Sequence, residues 1–206
     1  MEKHQDKYRS EIKYIFNPLD YNIIKKDILI NGFSFKHKPN TINNIYFDFN
    51  NESFNDNIDG NLIRSKIRLR WYNKFQGHVF LEEKIKKGSA GKKNIFKLNI
   101  NSTDNYNELV SILEKTTGHK KLKTIIRNMY YREYFEKSNV RLTLDSKIKY
   151  SDFEENFIFF EKINILEMKF DNNIESIKFD YLPSKMISKY SKYQNAVEKL
   201  KLDIRN

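Results

Sequence analysis

Residues 62 to 72 read Leu62-Ile63-Arg64-Ser65-Lys66-Ile67-Arg68-Leu69-Arg70-Trp71-Tyr72, so four cations alternate with Ile63, Ile67, Leu69 and Trp71. Side chains of a β-strand point to opposite faces with a period of two, so Arg64, Lys66, Arg68 and Arg70 form a row along one face. Guanidinium forks donate paired hydrogen bonds to phosphate oxygens and ammonium groups act as point charges, which makes this row a surface for a polyanion.

The same division of faces recurs along the chain. Arg9, Glu11 and Lys13 oppose Ile12 and Tyr14; Phe80, Glu82, Lys84 and Lys86 oppose Val79, Leu81, Glu83 and Ile85. Asn128, Tyr130, Arg132 and Tyr134 oppose Met129, Tyr131 and Phe135; Arg141, Thr143 and Asp145 oppose Val140, Leu142 and Leu144. Ile165, Glu167, Lys169 and Asp171 oppose Leu166, Met168 and Phe170. One strand of this kind is an ordinary wet face of an antiparallel sheet. Six of them, three carrying a Glu two positions before a Lys (Glu11/Lys13, Glu82/Lys84, Glu167/Lys169), exceed what solvation asks for. If the sheet closes with its charged faces inward, the cations line a bore in which glutamates can hold a divalent ion. A linear phosphate chain fits such a bore, whereas duplex DNA is too wide for a small barrel.

The elements that must position these residues follow from periodicity and punctuation. Strands are predicted over 8–16, 42–49, 62–72, 78–86, 94–98, 125–136, 140–149 and 157–170. Asn17-Pro18 reads as the start of a helix over about 18–31, with Ile23, Ile24, Ile28 and Leu29 as its apolar stripe and Gly32 as its stop. A second helix is predicted over 105–116 from Leu109, Ile112 and Leu113, ending at Gly118. A third, over 182–203, presents Met186, Ile187, Tyr190, Tyr193, Val197 and Leu200 on its apolar side. Residues 50–61 are expected to form a polar loop, and Gly88-Ser89-Ala90-Gly91 a hairpin turn, since the lysine-terminated phosphate-loop spacing is absent. The expected architecture is an antiparallel α+β single domain spanning residues 1–206.

Composition narrows the function classes. The 206 residues carry a formal charge of +11, which calls for an acidic partner, and 39% apolar content with 15% aromatics is enough to build a core. There is no cysteine, so disulfides, thiolate nucleophiles and thiolate metal sites are excluded. His4, His37, His78 and His119 lack the paired spacing of a zinc site. Any metal is therefore expected on carboxylates, which suits Mn²⁺ or Mg²⁺. The first residues contain no apolar signal region, and no segment approaches the ~20 apolar residues of a membrane span, so a soluble cytoplasmic chain is expected.

In this order, these motifs resemble the VTC domain, the polyphosphate polymerase branch of the triphosphate tunnel metalloenzyme (CYTH-like) superfamily. Arg9-Ser10-Glu11-Ile12-Lys13 is similar to its opening strand, and Arg9 in place of a first Glu favours the VTC branch. Tyr46-Phe47-Asp48, Lys66-Ile67-Arg68-Leu69-Arg70, Glu82-Glu83-Lys84, Tyr130-Tyr131-Arg132, Arg141-Leu142-Thr143-Leu144-Asp145, Leu166-Glu167-Met168-Lys169 and Tyr190-Ser191-Lys192-Tyr193 resemble its successive elements. Tyr190 departs from the family's usual Phe.

The resemblance implies a triphosphate tunnel fold: an antiparallel β-barrel with flanking helices and a C-terminal helix. It further implies transfer of the γ-phosphate of ATP to a growing polyphosphate chain. Lys13, Arg68, Arg70, Lys84, Arg132, Arg141 and Lys192 would contact phosphate, with Arg9, Lys66, Lys86, Tyr130, Lys169 and Ser191 as further substrate-binding groups. Glu167 would lead as the Mn²⁺ or Mg²⁺ ligand, with Glu11 and Glu82 as second choices or as partners that hold the cations. VTC proteins often act beside membrane subunits, so a membrane-protein partner on another chain is implied, at the inner face of a membrane. The alternatives are a hydrolase of tripolyphosphate or nucleoside triphosphate on the same fold, and a noncatalytic polyphosphate- or nucleic-acid-binding module. Nucleic acid is disfavoured as a partner, because the aromatic residues lie largely on the apolar faces.

Overall fold

The computed structural model describes residues 10–48, 63–87, 90–100, 106–170 and 187–203, with the side chains of 63–64, 86–87, 90–91, 106 and 201–203 left aside. Arg9, the loop over 50–61, Met186 and the side chains of Arg64 and Lys86 thus lie outside the described residues.

Strand β1 (Ser10–Phe16) ends where Asn17 turns the chain: its side chain accepts the Leu19 N–H at 2.9 Å, and Pro18 opens a 3₁₀ turn that runs into α1 (Tyr21–Ile30). Gly32, at φ 81°, ends that helix as expected. Strand β2 (Ser34–Asp48) begins well before the predicted 42, because the long strand β6 (Lys123–Lys137) pairs with it from Ser34 onward. Pro39 sits within the register shift between His37 and Asn40, where a missing N–H leaves the ladder intact.

Strands β3 (Ile63–Tyr72), β4 (His78–Lys87) and β5 (Ala90–Asn99) follow, and pairing of Lys87 with Ala90 places Ala90 and Gly91 in the strand rather than the turn. Helix α2 (Tyr106–Thr117) stops at Gly118, whose N–H donates to Glu114 O at 2.8 Å.

Strand β7 (Val140–Ser151) pairs with both β8 (Ile158–Phe160) and β9 (Asn164–Phe170), two strands where the sequence pattern predicts one over 157–170. The interruption at 161–163 faces the stretch of β7 around Lys147, whose backbone is left-handed at φ 51°, and a ladder cannot continue past such a bulge. The final helix, α3 (Lys192–Asp203), starts ten residues later than predicted. Ile187 instead bridges to Tyr14 and the Ser188 N–H donates to Lys13 O, so β1 draws this segment into extended pairing. Ser191 caps the helix, its Oγ accepting the Gln194 N–H at 3.4 Å.

The strands form one antiparallel sheet in the order β1-β9-β7-β6-β2-β3-β4-β5, with β8 on β7; no ladder among the described residues joins β5 to β1. The sheet curls. Lys13 on β1 reaches Tyr190 O at 3.3 Å while Lys66 on β3 reaches Ser191 Oγ at 3.5 Å. In a flat sheet these strands, five spacings apart, would stand roughly 24 Å from each other; here they meet neighbouring residues of one segment.

Two helices decide which face is outside. Ile24 and Ile28 of α1 bury against Phe135, Leu142, Leu144 and Leu166, and Leu113 of α2 against Phe47, Ile67, Leu69, Val79 and Leu81. Each such side chain contributes roughly 1.5–3 kcal/mol on burial, so the apolar face of the sheet is held against the helices. The alternate positions, including Arg68, Arg70, Glu82, Arg132 and Glu167, are thereby left on the concave side. Tyr193, Ala196, Val197 and Leu200 of α3 pack inside that concavity against Tyr46, Ile148, Tyr150 and Ile165.

Candidate functional site

Three charge clusters line the concave face. In the first, Arg132 donates to Asp145 from Nε at 2.5 Å and from the second guanidinium nitrogen at 2.7 Å. Lys192 donates to the same carboxylate at 2.6 Å. Asp145 has no exposure, and although burial alone would push its carboxyl up, Arg132 and Lys192 hold it below the usual range. Tyr130 lies beneath both cations, its ring centroid 5.1 Å from Arg132 and 4.6 Å from the Lys192 ammonium.

The second cluster centres on Glu82. Arg68 donates to it twice, at 2.7 and 2.5 Å, Lys93 lies 3.2 Å away and Arg70 3.7 Å away. Burial opposes ionisation here too, but Arg68 and Arg70 outweigh it and hold the Glu82 carboxyl at about 2. The arginines are also fixed by neutral groups: Arg68 on Tyr46 Oη at 3.0 Å, Arg70 on Asn44 Oδ1 at 2.8 Å and Tyr130 Oη at 3.3 Å. Asn44 in turn donates to Asn128 Oδ1 at 2.6 Å.

In the third, Lys13 stands 2.8 Å from Glu11 and 4.0 Å from Glu167, and Lys169 stands 3.7 Å and 3.0 Å from the same two acids. Burial would raise the Glu167 carboxyl, yet Lys169 and Arg132 hold it well below the carboxylate range. No group of three or more His, Asp or Glu side chains gathers among the described residues. Glu11 and Glu167, which share the same two lysines, form instead the two-carboxylate arrangement that suits Mg²⁺ or Mn²⁺ when phosphate and water complete the shell.

The structure therefore brings Glu11, Lys13, Lys66, Arg68, Arg70, Glu82, Tyr130, Arg132, Glu167, Lys169, Ser191 and Lys192 to one concave surface. Lys84 and Arg141 lie exposed on the same face of their strands. The cations outnumber the carboxylates, so the surface keeps an excess of positive charge. Two donors there, Asn128 Nδ2 and Thr143 Oγ, are buried without a hydrogen-bond partner among the described residues. A buried surface with surplus cations and open donors is chemically suited to an oxyanion-rich chain.

Sequence reasoning missed Asn44, Tyr46, Lys93, Asn128 and the central part played by Asp145. Asp145 was visible as an inward position of its strand, two residues after Thr143. Lys93 was not, because Lys92 and Lys93 are adjacent and nothing local says which one faces inward.

The VTC domain family model matches residues 8–201. A comparison with curated proteins finds no significant match. Among solved structures, the chain is similar to a conserved hypothetical protein from Pyrococcus furiosus (10% identity, TM-score 0.54, 92% of this chain and 99% of that one). It is also similar to a candidate adenylate cyclase from Vibrio parahaemolyticus (12% identity, TM-score 0.50, 98% and 90%), and to PH1012 protein from Pyrococcus horikoshii OT3 (16% identity, TM-score 0.49, 96% and 87%). The match of the family model over nearly the whole length, together with the curled antiparallel sheet and its cation-lined concave face, establishes that this chain belongs to the VTC domain family and has the triphosphate tunnel fold.

Proposed function

We propose that the chain is a metal-dependent polyphosphate polymerase that transfers the γ-phosphoryl group of ATP to a growing phosphate chain within its tunnel. Lys13, Arg68, Arg70, Lys84, Arg132, Arg141 and Lys192 would hold phosphate oxygens, with Lys66, Lys169, Tyr130 and Ser191 beside them. Phosphoryl transfer needs little covalent help from protein, and its catalysis comes from positioning and charge stabilisation. Carboxylates that already fix Arg132, Lys192, Arg68 and Arg70 in place supply that preorganisation before substrate arrives.

A divalent ion on Glu167 and Glu11 would neutralise charge developing on the transferred group. Glu82 suits this use less, because Arg68 already occupies one of its oxygens with two hydrogen bonds, at 2.7 and 2.5 Å; it serves as the anchor of Arg68 and Arg70.

The observation that supports phosphoryl-group chemistry by positioning and charge, rather than by a protein base, is the state of the acids. Asp145, Glu82 and Glu167 are all paired with cations and held below the normal carboxylate range. Such groups are weak bases. The working place would be the cytoplasmic side of a membrane, beside a membrane-protein partner; no helix among the described residues is long and apolar enough to cross one.

Incubation with ATP and Mn²⁺ followed by sizing of the product tests the proposal. Long-chain polyphosphate with ADP is expected. Orthophosphate alone would identify a triphosphatase, and tight binding without turnover a noncatalytic polyphosphate module.

A further inference from the structure

Three arginines of the concave face are fixed by different partners, and the partner decides how much charge each keeps. Arg132 donates to Asp145 with two nitrogens, and Arg68 gives two donors to Glu82. Each of these guanidinium groups is neutralised by the carboxylate that fixes it. Arg70 is held otherwise. Its Nε donates to Asn44 Oδ1 at 2.8 Å and a terminal nitrogen to Tyr130 Oη at 3.3 Å, and both acceptors are neutral. Glu82 Oε1 lies 3.7 Å from its other terminal nitrogen, past hydrogen-bond range, and stands closer to Lys93, at 3.2 Å.

Strand register puts Asn44 in this place. It stands opposite Arg70 on β3 and opposite Asn128 on β6, so the three side chains form one row across the concave face. An arginine side chain has donors only, so the Asn44 oxygen must face Arg70 and its Nδ2 must face Asn128 Oδ1, which accepts at 2.6 Å. Asn128 is thereby turned with its own Nδ2 onward, buried and without a hydrogen-bond partner among the described residues. Asn44 is 1% exposed, and with both ends of its amide engaged it directs the Arg70 guanidinium without cancelling its charge.

Resting on the proposed tunnel reading, we infer that Asn44 is a positioning residue: it anchors Arg70 through a neutral acceptor, so that Arg70 keeps its positive charge for a phosphate oxygen of the substrate. A carboxylate at this position would hold Arg70 more tightly and neutralise it, as Asp145 and Glu82 do for Arg132 and Arg68. Arg68 and Arg132 thus give the wall its fixed shape, and Arg70 supplies the stronger attraction for the anion.

The test compares Asn44→Asp with Asn44→Ala in the full chain, by direct binding of tripolyphosphate and by kinetics with ATP. If Asn44 served the fold alone, Asp would be the milder change, because it keeps the size of the side chain and an acceptor for Arg70. Under the inference Asp is the harsher one. Asn44→Asp should weaken tripolyphosphate roughly tenfold or more, the scale of a hydrogen bond to a charged group, and raise KM for ATP by a similar factor. Asn44→Ala leaves the charge of Arg70 but frees its direction, so it should bind within about threefold of wild type and lose chiefly kcat. Asn128 has an open Nδ2 to offer the new carboxylate, so Asn44→Asp is expected to fold, with a melting temperature close to wild type. Wild-type affinity in Asn44→Asp, or a loss in Asn44→Ala as large as in Asn44→Asp, overturns the inference while the tunnel reading stands. Should Asn44→Asp not fold, Asn44→Ala decides alone, and a loss of affinity of roughly tenfold in it overturns the inference. Failure of wild type to bind tripolyphosphate overturns the tunnel reading and the inference with it.

Discussion

Lys192 Nζ lies 2.6 Å from Asp145 Oδ2, which ties the first turn of α3 to the middle of β7 through an acid with no solvent exposure. Because the same carboxylate takes both Arg132 donors, a helix and two strands converge on one charge.

Asp145→Asn should therefore destabilise the protein strongly. It keeps one acceptor but strips the charge that compensates Arg132 and Lys192, and uncompensated buried ions cost roughly 3–5 kcal/mol. Urea unfolding should show a large drop in midpoint; an unchanged midpoint would contradict the role given to Asp145. Lys192→Ala leaves Asp145 with Arg132, so it should fold normally and lose activity roughly a hundredfold or more.

Arg70→Ala is expected to abolish product while the protein stays folded. Glu82 keeps Arg68 and Lys93, so its charge remains compensated, but one preorganised donor is gone; a loss of about 10² to 10³ in rate is the usual scale. Product formation measured alongside circular dichroism separates this outcome from unfolding.

Acid stability should depend on Glu82. Its carboxyl is lowered from 4.5 to about 2 in the folded chain. A depressed folded value means that its contribution is present above about 4.5 and is lost as pH falls toward 2. Urea midpoints recorded from pH 6 to pH 2 should fall across that window, and Glu82→Gln should flatten the decline. A parallel decline in the variant would refute the assignment.

Glu167→Gln should remove metal-dependent turnover with a smaller effect on phosphate binding. The amide retains shape but not the charge that would hold Mn²⁺. Polyphosphate synthesis titrated with Mn²⁺ checks this, and an unchanged metal dependence would shift the role to Glu11.

Tyr190→Phe restores the residue usual in the family and should cost roughly 1–2 kcal/mol of stability. The Tyr190 hydroxyl joins Tyr150 Oη at 2.8 Å and donates to Glu161 at 2.7 Å, holding the segment that leads into Lys192. Thermal melting of the variant measures the loss.

Much of this was legible in the chain. Alternation alone places Lys66, Arg68 and Arg70 on one face and Ile67 and Leu69 on the other, because strand geometry is local. Asn17-Pro18 and Gly32 mark the limits of the first helical segment for the same reason. The start of the last helix was not legible: residues 187–190 carry helical spacing, yet pairing with β1 draws them into extended structure, and Ser191 caps the helix only afterwards. Nor could the split between β8 and β9 be read, since it answers a left-handed residue at Lys147 on another strand.

The sequence by itself determined which residues share a face and that those faces are basic, through a two-residue period that needs no partner. Only the tertiary structure decided which face became the inside and which acid met which cation. Helices α1 and α2 take the apolar side, so the charged side curls inward, and only then do Lys192 and Asp145, 47 positions apart, come within a hydrogen bond.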